Sequence, residues 1–177
     1  MVMTPQVRQI ALIAHVAASV GWIGAVAAFI VLDVATVVRD DVPVLRACYL
    51  AMDLITTWAI VPLAFAALVT GILMSLGTKW GLFRHWWTVV TLALTIAATA
   101  VLLVQLPIVS QRAAIAADPM TSDAELRGMG NLLLHSIGGA VVLLVITALN
   151  IVKPRGLTTY GWRRQKEAAS LASESGR

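Results

Sequence analysis

Residues 10–38 read IALIAHVAASVGWIGAVAAFIVLDVATVV, an apolar stretch interrupted chiefly by His15, Ser19 and Asp33. About 20 apolar residues at 1.5 Å per residue cross a bilayer, so this stretch predicts a transmembrane helix that projects beyond the hydrocarbon. His15 and Asp33 are eighteen positions apart, which is ~5 helical turns, so they share one face. Between them that face carries Ser19, Trp22, Val26 and Phe29. Ionisable side chains at membrane depth face protein or water, so we expect this face to line the interior of a bundle.

The composition of the whole chain is that of a membrane domain. Of 177 residues, 59% are hydrophobic and only 12% are charged, against about 45–50% and ~25% in soluble domains. No room is left for a soluble catalytic domain, and no catalytic residue is predicted. The net charge of +4 comes from basic residues near helix ends and in the tail, which indicates anionic lipid rather than nucleic acid. Cys48 is the only cysteine, which excludes an intrachain disulfide and a cysteine metal cage.

Three more apolar stretches follow the first, and together they predict an all-α polytopic membrane protein, an antiparallel bundle of four transmembrane helices. The predicted spans are about 10–38, 44–76, 85–109 and 130–152, within a domain of residues 1–156 that is followed by a basic tail, 157–177. Pro62 lies near the middle of the second span, where it removes the hydrogen bond to the Trp58 carbonyl and predicts a kink. We expect the tail to lie at the membrane surface or to be partly disordered.

The distribution of positive charge predicts the orientation. Four spans place both termini on one side, where nine Lys and Arg residues fall, against four on the other side. Because positive residues are retained in the cytoplasm, we expect a multi-pass protein of the bacterial inner (plasma) membrane with cytoplasmic N- and C-termini.

Depth in the membrane groups the polar residues into two sets, of which the outer set is Asp33, Asp53, His135 and Gln105. Carboxylate and imidazole together can bind a divalent metal, relay protons or form a buried ion pair. Asp33, Asp53 and His135 are therefore the predicted metal ligands. The alternative is an interfacial polar layer that is hydrated from outside and stabilises the helix ends.

The inner set is His15 with His85, accompanied by Ser19, Trp22 and Asn150. Paired histidines on two helices hold haem iron inside helical bundles, so His15 and His85 are the predicted cofactor ligands and haem is the predicted cofactor. No CxxCH attachment site is present. The alternatives are an ordinary interfacial histidine at position 85 and a merely hydrogen-bonded histidine at position 15.

Small residues recur at four-residue spacing along the first span, and such stripes let helix backbones approach closely. One stripe is Ala17, Gly21 and Ala25, and beside it lie Gly24 and Ala28. Gly138 and Gly139 in the last span are expected to receive the first helix or a second copy of the protein.

Two segments carry a resemblance to a known family: HVAASVGWIGAVAAF (15–29) and PLAFAALVTGILMSLGTKWGLFRHWWTVVTLALT (62–95). They resemble small bacterial four-helix integral membrane proteins of unknown function, a family distantly similar to the copper-resistance D membrane domain and to the HemJ type of protoporphyrinogen oxidase. The resemblance implies a first-helix histidine, here His15, associated with b-type haem. HemJ-like relatives carry a lysine early in the third helix, whereas residues 84–88 read RHWWT. This departure argues against porphyrinogen oxidation and leaves haem binding open through His85.

The copper-type resemblance favours methionine and histidine ligands. Met52, Met74, Met120 and Met129 are scattered and form no pair at ligand spacing, so copper transport ranks lower. Three functional hypotheses follow: a haem- or metal-binding redox or accessory protein, an ion, proton or metal transport module built on Asp33, Asp53 and His135, and a non-catalytic structural or assembly protein. The expected partners are the lipid bilayer and a second copy or another membrane protein.

Overall fold

The computed structural model describes residues 3–78 and 81–175, and it confirms the all-α bundle. Its helices are α1 (Pro5–Val38), α2 (Val42–Ile55), α3 (Val61–Gly77), α4 (Trp86–Ala117), α5 (Asp123–Gly128), α6 (Leu133–Val152) and α7 (Thr159–Ser175). A π-helical segment, Thr56–Ile60, joins α2 to α3 into one continuous span. Four helices in the described residues are long and apolar enough to cross a membrane: Pro5–Val38, Val42–Gly77, Trp86–Ala117 and Leu133–Val152. The chain is a multi-pass membrane protein.

The helices are arranged in chain order around the bundle. α1 packs against α2, α3 and α6, and α4 packs against the same three helices from the other side. α1 and α4 are therefore diagonally opposite each other in the bundle. α1 and α3 are antiparallel, because Met3 donates its N–H to the Gly77 carbonyl while Gly21 lies beside Leu63 near the opposite end of α3. Four helices in this order enclose a common centre.

The face of α1 expected to line the interior does so. Trp22, Val26, Phe29 and Asp33 are all buried, and Asp33 has no exposed surface. The burial follows from the spacing of three and four residues, which brings these side chains to one side of a helix with 3.6 residues per turn. This confirms the expected inner face of α1.

The irregularity expected at Pro62 takes the form of a π-helical segment. The N–H of Val61 donates to the Thr56 carbonyl, five residues back, and the Thr56 hydroxyl donates to the Met52 carbonyl at 2.7 Å. Proline has no N–H to donate to the Trp58 carbonyl, and π-segments are one way in which a helix absorbs such a defect. The wide turn places Thr56 and Ile60 side by side on the inner face.

Four bounds differ from the sequence-based expectation, the first being that α1 begins at Pro5 rather than at about residue 10. α4 continues past Pro107 to Ala117, because Ala113 and Ala116 pack against the bundle beyond the proline. α6 begins at Leu133, since Gly130 adopts a positive φ of 69° in the preceding turn. The tail is helical from Thr159 to Ser175, as α7.

The glycines of the small-residue stripes differ in whether another helix packs against them. A Cβ atom at Gly21 would lie 3.3 Å from the Leu63 side chain, so Gly21 lets α1 and α3 approach closely. A Cβ at Gly24, Gly138 or Gly139 would meet nothing within 4 Å. α1 is therefore not seated against Gly138 and Gly139, which instead border an open space.

Candidate functional site

A cavity of about 400 Å³ lies at the centre of the bundle, between α1, the π-segment, α4 and α6. Trp22, Val26 and Phe29 of α1 form one wall, and Ile60 of the π-segment extends it. This is the size of sites that hold small organic molecules, which are commonly about 300–1,000 Å³ and mostly apolar. The face of α1 identified from the sequence is thus one wall of a cavity.

The cavity exists because small residues face large ones across the bundle. α4 contributes Ala97 and Ala98, and α6 contributes Gly138 and Gly139. None of these side chains is long enough to reach the aromatic wall of α1, and the two glycines have no neighbour within 4 Å of a Cβ position. The space is a consequence of residue volumes at four positions on two helices.

The cavity opens sideways between α4 and α6. Ala97 and Val101 on α4, and Leu134, His135 and Gly138 on α6, line the cavity and are also exposed on the outside of the bundle. In a membrane-spanning protein, this side of the bundle faces lipid chains. The opening therefore lies on a side of the bundle that a bilayer would cover.

The polar groups of the cavity are Thr56, Gln105, His135 and Ser136. The Thr56 hydroxyl donates to Met52, and the Ser136 hydroxyl lies 3.2 Å from Asp33 and 3.3 Å from the Leu133 carbonyl. The Nε2 atom of Gln105 is buried and has no hydrogen-bond partner among the described residues. A buried donor without an acceptor costs about 1–3 kcal/mol, and because Gln105 also lines the cavity, rotation of its amide toward an acceptor held there would remove this cost.

Asp33 joins α1 to the beginning of α6. Its Oδ1 accepts the Leu132 N–H at 3.0 Å, and its Oδ2 accepts the Ser136 hydroxyl at 3.2 Å. Leu132 is the N-cap residue of α6 and has no side-chain oxygen to cap the helix. The carboxylate of another helix supplies the missing cap, and a negative charge is favourable at a helix N-terminus.

The other two predicted metal ligands have different surroundings. Asp53 accepts the Ser110 hydroxyl of α4 at 2.7 Å, and His135 is exposed at the mouth of the cavity. Within residues 3–78 and 81–175, no three His, Cys, Asp or Glu side chains lie close enough together to hold a metal ion. The structure brings His135 and Gln105 to one cavity. The metal and transport hypotheses for Asp33, Asp53 and His135 stay predictions.

His15 is oriented by α3. Its Nδ1 lies 3.0 Å from the Thr70 hydroxyl, and that hydroxyl donates to the Ala66 carbonyl at 2.5 Å. With the Thr70 proton donated to Ala66, the Thr70 oxygen is placed to accept a hydrogen bond from Nδ1 of His15 in the tautomer that carries its proton there. A Cβ at Gly71 would lie 3.2 Å from Cε1 of the ring, which makes Gly71 part of the wall that fixes the imidazole.

His85 has different neighbours. It is the residue before α4, forms an antiparallel bridge with Leu157, and lies with its ring centroid 6.4 Å from that of Trp87. It belongs to the connection between α3 and α4, where the C-terminal segment is attached. The described lining of the central cavity contains Trp22 of the predicted inner set, and contains neither His15 nor His85.

Arg46 has a structural role that the sequence analysis missed. Its guanidinium donates to three backbone carbonyls at the end of α4 and in the turn beyond, those of Ala116 (2.7 Å), Asp118 (2.7 Å) and Thr121 (2.8 Å). A positive charge at a helix C-terminus is favourable and satisfies carbonyls that have no helical partner. The only sequence signal is a basic residue near a helix start, which does not indicate a partner 70 or more positions away.

Comparison of the chain with protein-family models, with curated proteins and with solved structures gave no match.

Proposed function

We propose that this protein binds a neutral, apolar molecule of the bilayer that carries a carbonyl oxygen, and that it holds this molecule in the central cavity. The observation that carries the proposal is a largely apolar cavity with a lateral opening, lined in part by Gln105, whose Nε2 has no hydrogen-bond partner among the described residues and can reach an acceptor in the cavity by rotation of the side-chain amide. Glycerolipid esters and lipid-soluble quinones have this chemistry. The protein would act as a binding or accessory component for such a molecule.

The lining determines the charge of the ligand. None of the described residues that line the cavity is Asp, Glu, Lys or Arg. A charged group inside would lack a counter-ion, and burying an unpaired charge is costly. A carbonyl accepts the hydrogen bond of Gln105 and needs no donor in return, so a neutral carbonyl compound matches the available groups.

The energetics of binding differ from those of a soluble protein. A lipid tail gains no hydrophobic free energy on moving from bilayer to cavity, so the gain comes from packing and hydrogen bonding. Filling the space beside Gly138 and Gly139 supplies contacts that an empty cavity lacks. Satisfying Gln105 contributes about 1 kcal/mol, a factor of about five in affinity.

The test is to identify what co-purifies with the protein in mild detergent, by solvent extraction and mass spectrometry, in two matched variants. Gly138→Leu fills the cavity, whereas Gly24→Leu adds the same side chain at another glycine with open surroundings that does not line it. We expect a bound neutral lipid-soluble compound in the wild type and in Gly24→Leu, with at least a tenfold loss in Gly138→Leu. Equal retention in both variants would refute the cavity as the site.

The variant Gln105→Leu tests the role of the carbonyl separately. We expect about fivefold weaker retention of a carbonyl compound, because the donor is gone while the volume is kept. Unchanged retention in Gln105→Leu, together with loss in Gly138→Leu, would show that only the apolar part of the ligand is recognised.

A second proposal concerns the predicted cofactor, and the orientation of His15 favours it. Histidines that bind metal usually donate their other ring N–H to a fixed acceptor, and the Thr70 oxygen, 3.0 Å from Nδ1 of His15, is placed to be that acceptor. We propose His15 Nε2 as a ligand for haem iron or another metal, with His85 as the second ligand. Bound haem would supply one-electron redox chemistry.

An absorption spectrum of the purified protein, oxidised and then reduced with dithionite, tests the haem proposal. We expect a Soret band that is lost in His15→Ala and kept in His135→Ala. A protein that stays colourless after reconstitution with haem would remove the proposal. Metal analysis of the same samples tests other metals in the same way.

We also propose that both termini face the cytoplasm of a bacterial cell, from the excess of basic residues on their side of the bundle. The test uses a Cys48→Ala background with one new cysteine at either Ser170 or Met120, both of which are exposed. A membrane-impermeant maleimide applied to intact cells should label Met120→Cys alone. Labelling of Ser170→Cys alone would reverse the orientation.

A further inference from the structure

The segment that follows α6 is attached to the connection between α3 and α4. Trp86 donates its N–H to the Gly156 carbonyl at 3.3 Å, and Thr158 donates its N–H to the Arg84 carbonyl at 3.0 Å. The Thr158 hydroxyl also donates to the Phe83 carbonyl at 2.5 Å. These bonds join two segments that are 70 or more residues apart, so the chain beyond α6 has a fixed starting point at the first residue of α4.

The beginning of α7 lies directly on the same connection. A Cβ atom at Gly161 would collide with the Arg84 carbonyl, and the Gly161 N–H donates to the Thr158 hydroxyl at 3.1 Å. Glycine is therefore required at position 161 for this contact. Because α4 begins and α6 ends here, the first turns of α7 are held at the level where two membrane-spanning helices meet the aqueous phase.

Large aromatic side chains surround this attachment and are exposed. Phe83, Trp86, Tyr160 and Trp162 are each more than half exposed. Tryptophan and tyrosine are enriched at the membrane–water boundary, where the ring contacts the acyl region and the polar edge stays hydrated. This aromatic group indicates that the attachment lies in the headgroup layer.

Basic residues follow the aromatic group on both sides of the attachment. Lys153 and Arg155 precede it, and Arg163, Arg164 and Lys166 follow it, all with exposed side chains. We call these five residues the C-terminal basic surface. Glu167 is the only acidic residue between positions 126 and 173, and it lies 3.7 Å from Arg164.

Arg164 is also held by Tyr160. Its guanidinium lies 5.8 Å from the centre of the Tyr160 ring, and its Nε donates to the phenol oxygen at 3.3 Å. The hydrogen bond to Tyr160 raises the pKa of the Arg164 guanidinium above its ordinary value. Because Arg164 already contacts Tyr160 and Glu167, the exposed cations best suited to bind an external anion are Arg155, Arg163 and Lys166.

We propose that the C-terminal basic surface binds the phosphate headgroups of anionic phospholipids, and that the attachment of Thr158 and Gly161 holds it at the right depth. The proposal does not depend on the central cavity. It follows from charge complementarity, since five cations and one acid face a layer that carries negative phosphates. Clusters of four to eight basic residues next to a transmembrane helix bind anionic lipids in this way.

The test uses the full-length protein in vesicles of phosphatidylcholine and phosphatidylglycerol at about 3:1, with bromine atoms on the acyl chains of one lipid or the other. Bromine quenches nearby tryptophan, and the signal of Trp162 is the difference between the wild type and Trp162→Phe. We expect quenching by brominated phosphatidylglycerol to exceed that predicted from its mole fraction by at least threefold at low salt. The excess should disappear at about 1 M salt, where the Debye length falls to ~3 Å.

The combined variant Arg155→Gln, Arg163→Gln and Lys166→Gln should reduce quenching to the level set by mole fraction. A matched control, Arg39→Gln, removes an exposed positive charge at the other end of the bundle and should leave the excess unchanged. Quenching at the mole-fraction level in the wild type would overturn the proposal, as would an excess that survives in the combined variant.

Discussion

Asp33 offers the sharpest test of how the bundle is held together, because one carboxylate on α1 caps α6. We compare Asp33→Ala with Asp33→Asn. In the first variant the Leu132 N–H loses its acceptor at 3.0 Å and stays buried. In the second, the amide oxygen can still accept from Leu132, and its NH₂ group can donate to Ser136.

The magnitude follows from counting the groups that lose their partners. The orphaned Leu132 N–H costs about 1–3 kcal/mol, the usual cost of a buried donor without an acceptor. Ser136 loses nothing comparable, since its hydroxyl lies 3.3 Å from the Leu133 carbonyl and can donate there instead. We therefore expect Asp33→Ala to lower the free energy of unfolding by about 1–3 kcal/mol and Asp33→Asn to lower it by less than about 1 kcal/mol.

The assay is reversible unfolding of the purified protein in mixed detergent micelles, followed by tryptophan fluorescence, to which Trp22, buried near the same face, contributes. Asp53→Ala is the control, because that carboxylate is half-buried and accepts a hydrogen bond from one residue, Ser110. Its removal should cost about 1 kcal/mol or less. If Asp33→Ala costs no more than Asp53→Ala, the capping role is refuted. A loss in Asp33→Asn equal to that in Asp33→Ala would show that the negative charge itself is required.

Three further predictions concern other contacts. Gly21→Leu should destabilise the bundle by about 1–3 kcal/mol through overpacking against Leu63, whereas Gly24→Leu, with open surroundings, should not, and thermal unfolding of the two variants compares them directly. Arg46→Gln removes a charged donor from three backbone carbonyls and should cost about 1.5–3 kcal/mol; an unchanged unfolding midpoint would contradict the capping role. Thr158→Val removes the hydroxyl that donates to the carbonyl of residue 83 and should release α7. Limited trypsin digestion would detect this release as faster cleavage in the C-terminal region. An unchanged cleavage rate would mean that backbone hydrogen bonds alone hold α7 in place.

The inner face of α1 could be predicted because it depends only on local geometry. An apolar stretch long enough to span the bilayer fixes the helix, and the eighteen-residue spacing of His15 and Asp33 fixes one face. The structure buries Trp22, Val26 and Phe29 on that face. The irregularity at Pro62 was predictable for the same reason, although its π-helical form depends on how neighbouring helices pack.

The grouping of the outer polar residues could not be predicted, because the depth of a residue in the membrane does not determine which neighbouring helix its side chain faces. Asp33 and Asp53 flank one loop, yet Asp33 turns toward α6 and Asp53 toward Ser110 of α4. Which helix each residue faces depends on the order of helices around the bundle. That order is a property of the packed molecule, and no pattern within a single span contains it.

The cavity was hidden from sequence reasoning for a related reason. The sequence pattern predicts that Trp22 and Phe29 are core residues and that Gly138 and Gly139 pack against another helix. Both interpretations assume that a side chain of ordinary size on the opposite helix packs against these residues. Only the structure shows that the glycines face the aromatic wall across an open space, and that Gln105, a member of the predicted outer polar set, lines this space.

The cap and the cavity are built on neighbouring residues of α6, and this connects them physically. Ser136 binds the carboxylate of Asp33 and also lines the cavity, while His135 beside it stands at the opening. The N-terminal end of α6 is therefore fixed to α1 by a buried contact that no lipid can reach. Its other edge, toward α4, borders the entrance. Because Ser136 belongs to both features, the buried contact at Asp33 fixes the position of the α6 wall of the cavity relative to α1, although Asp33 itself does not line the cavity.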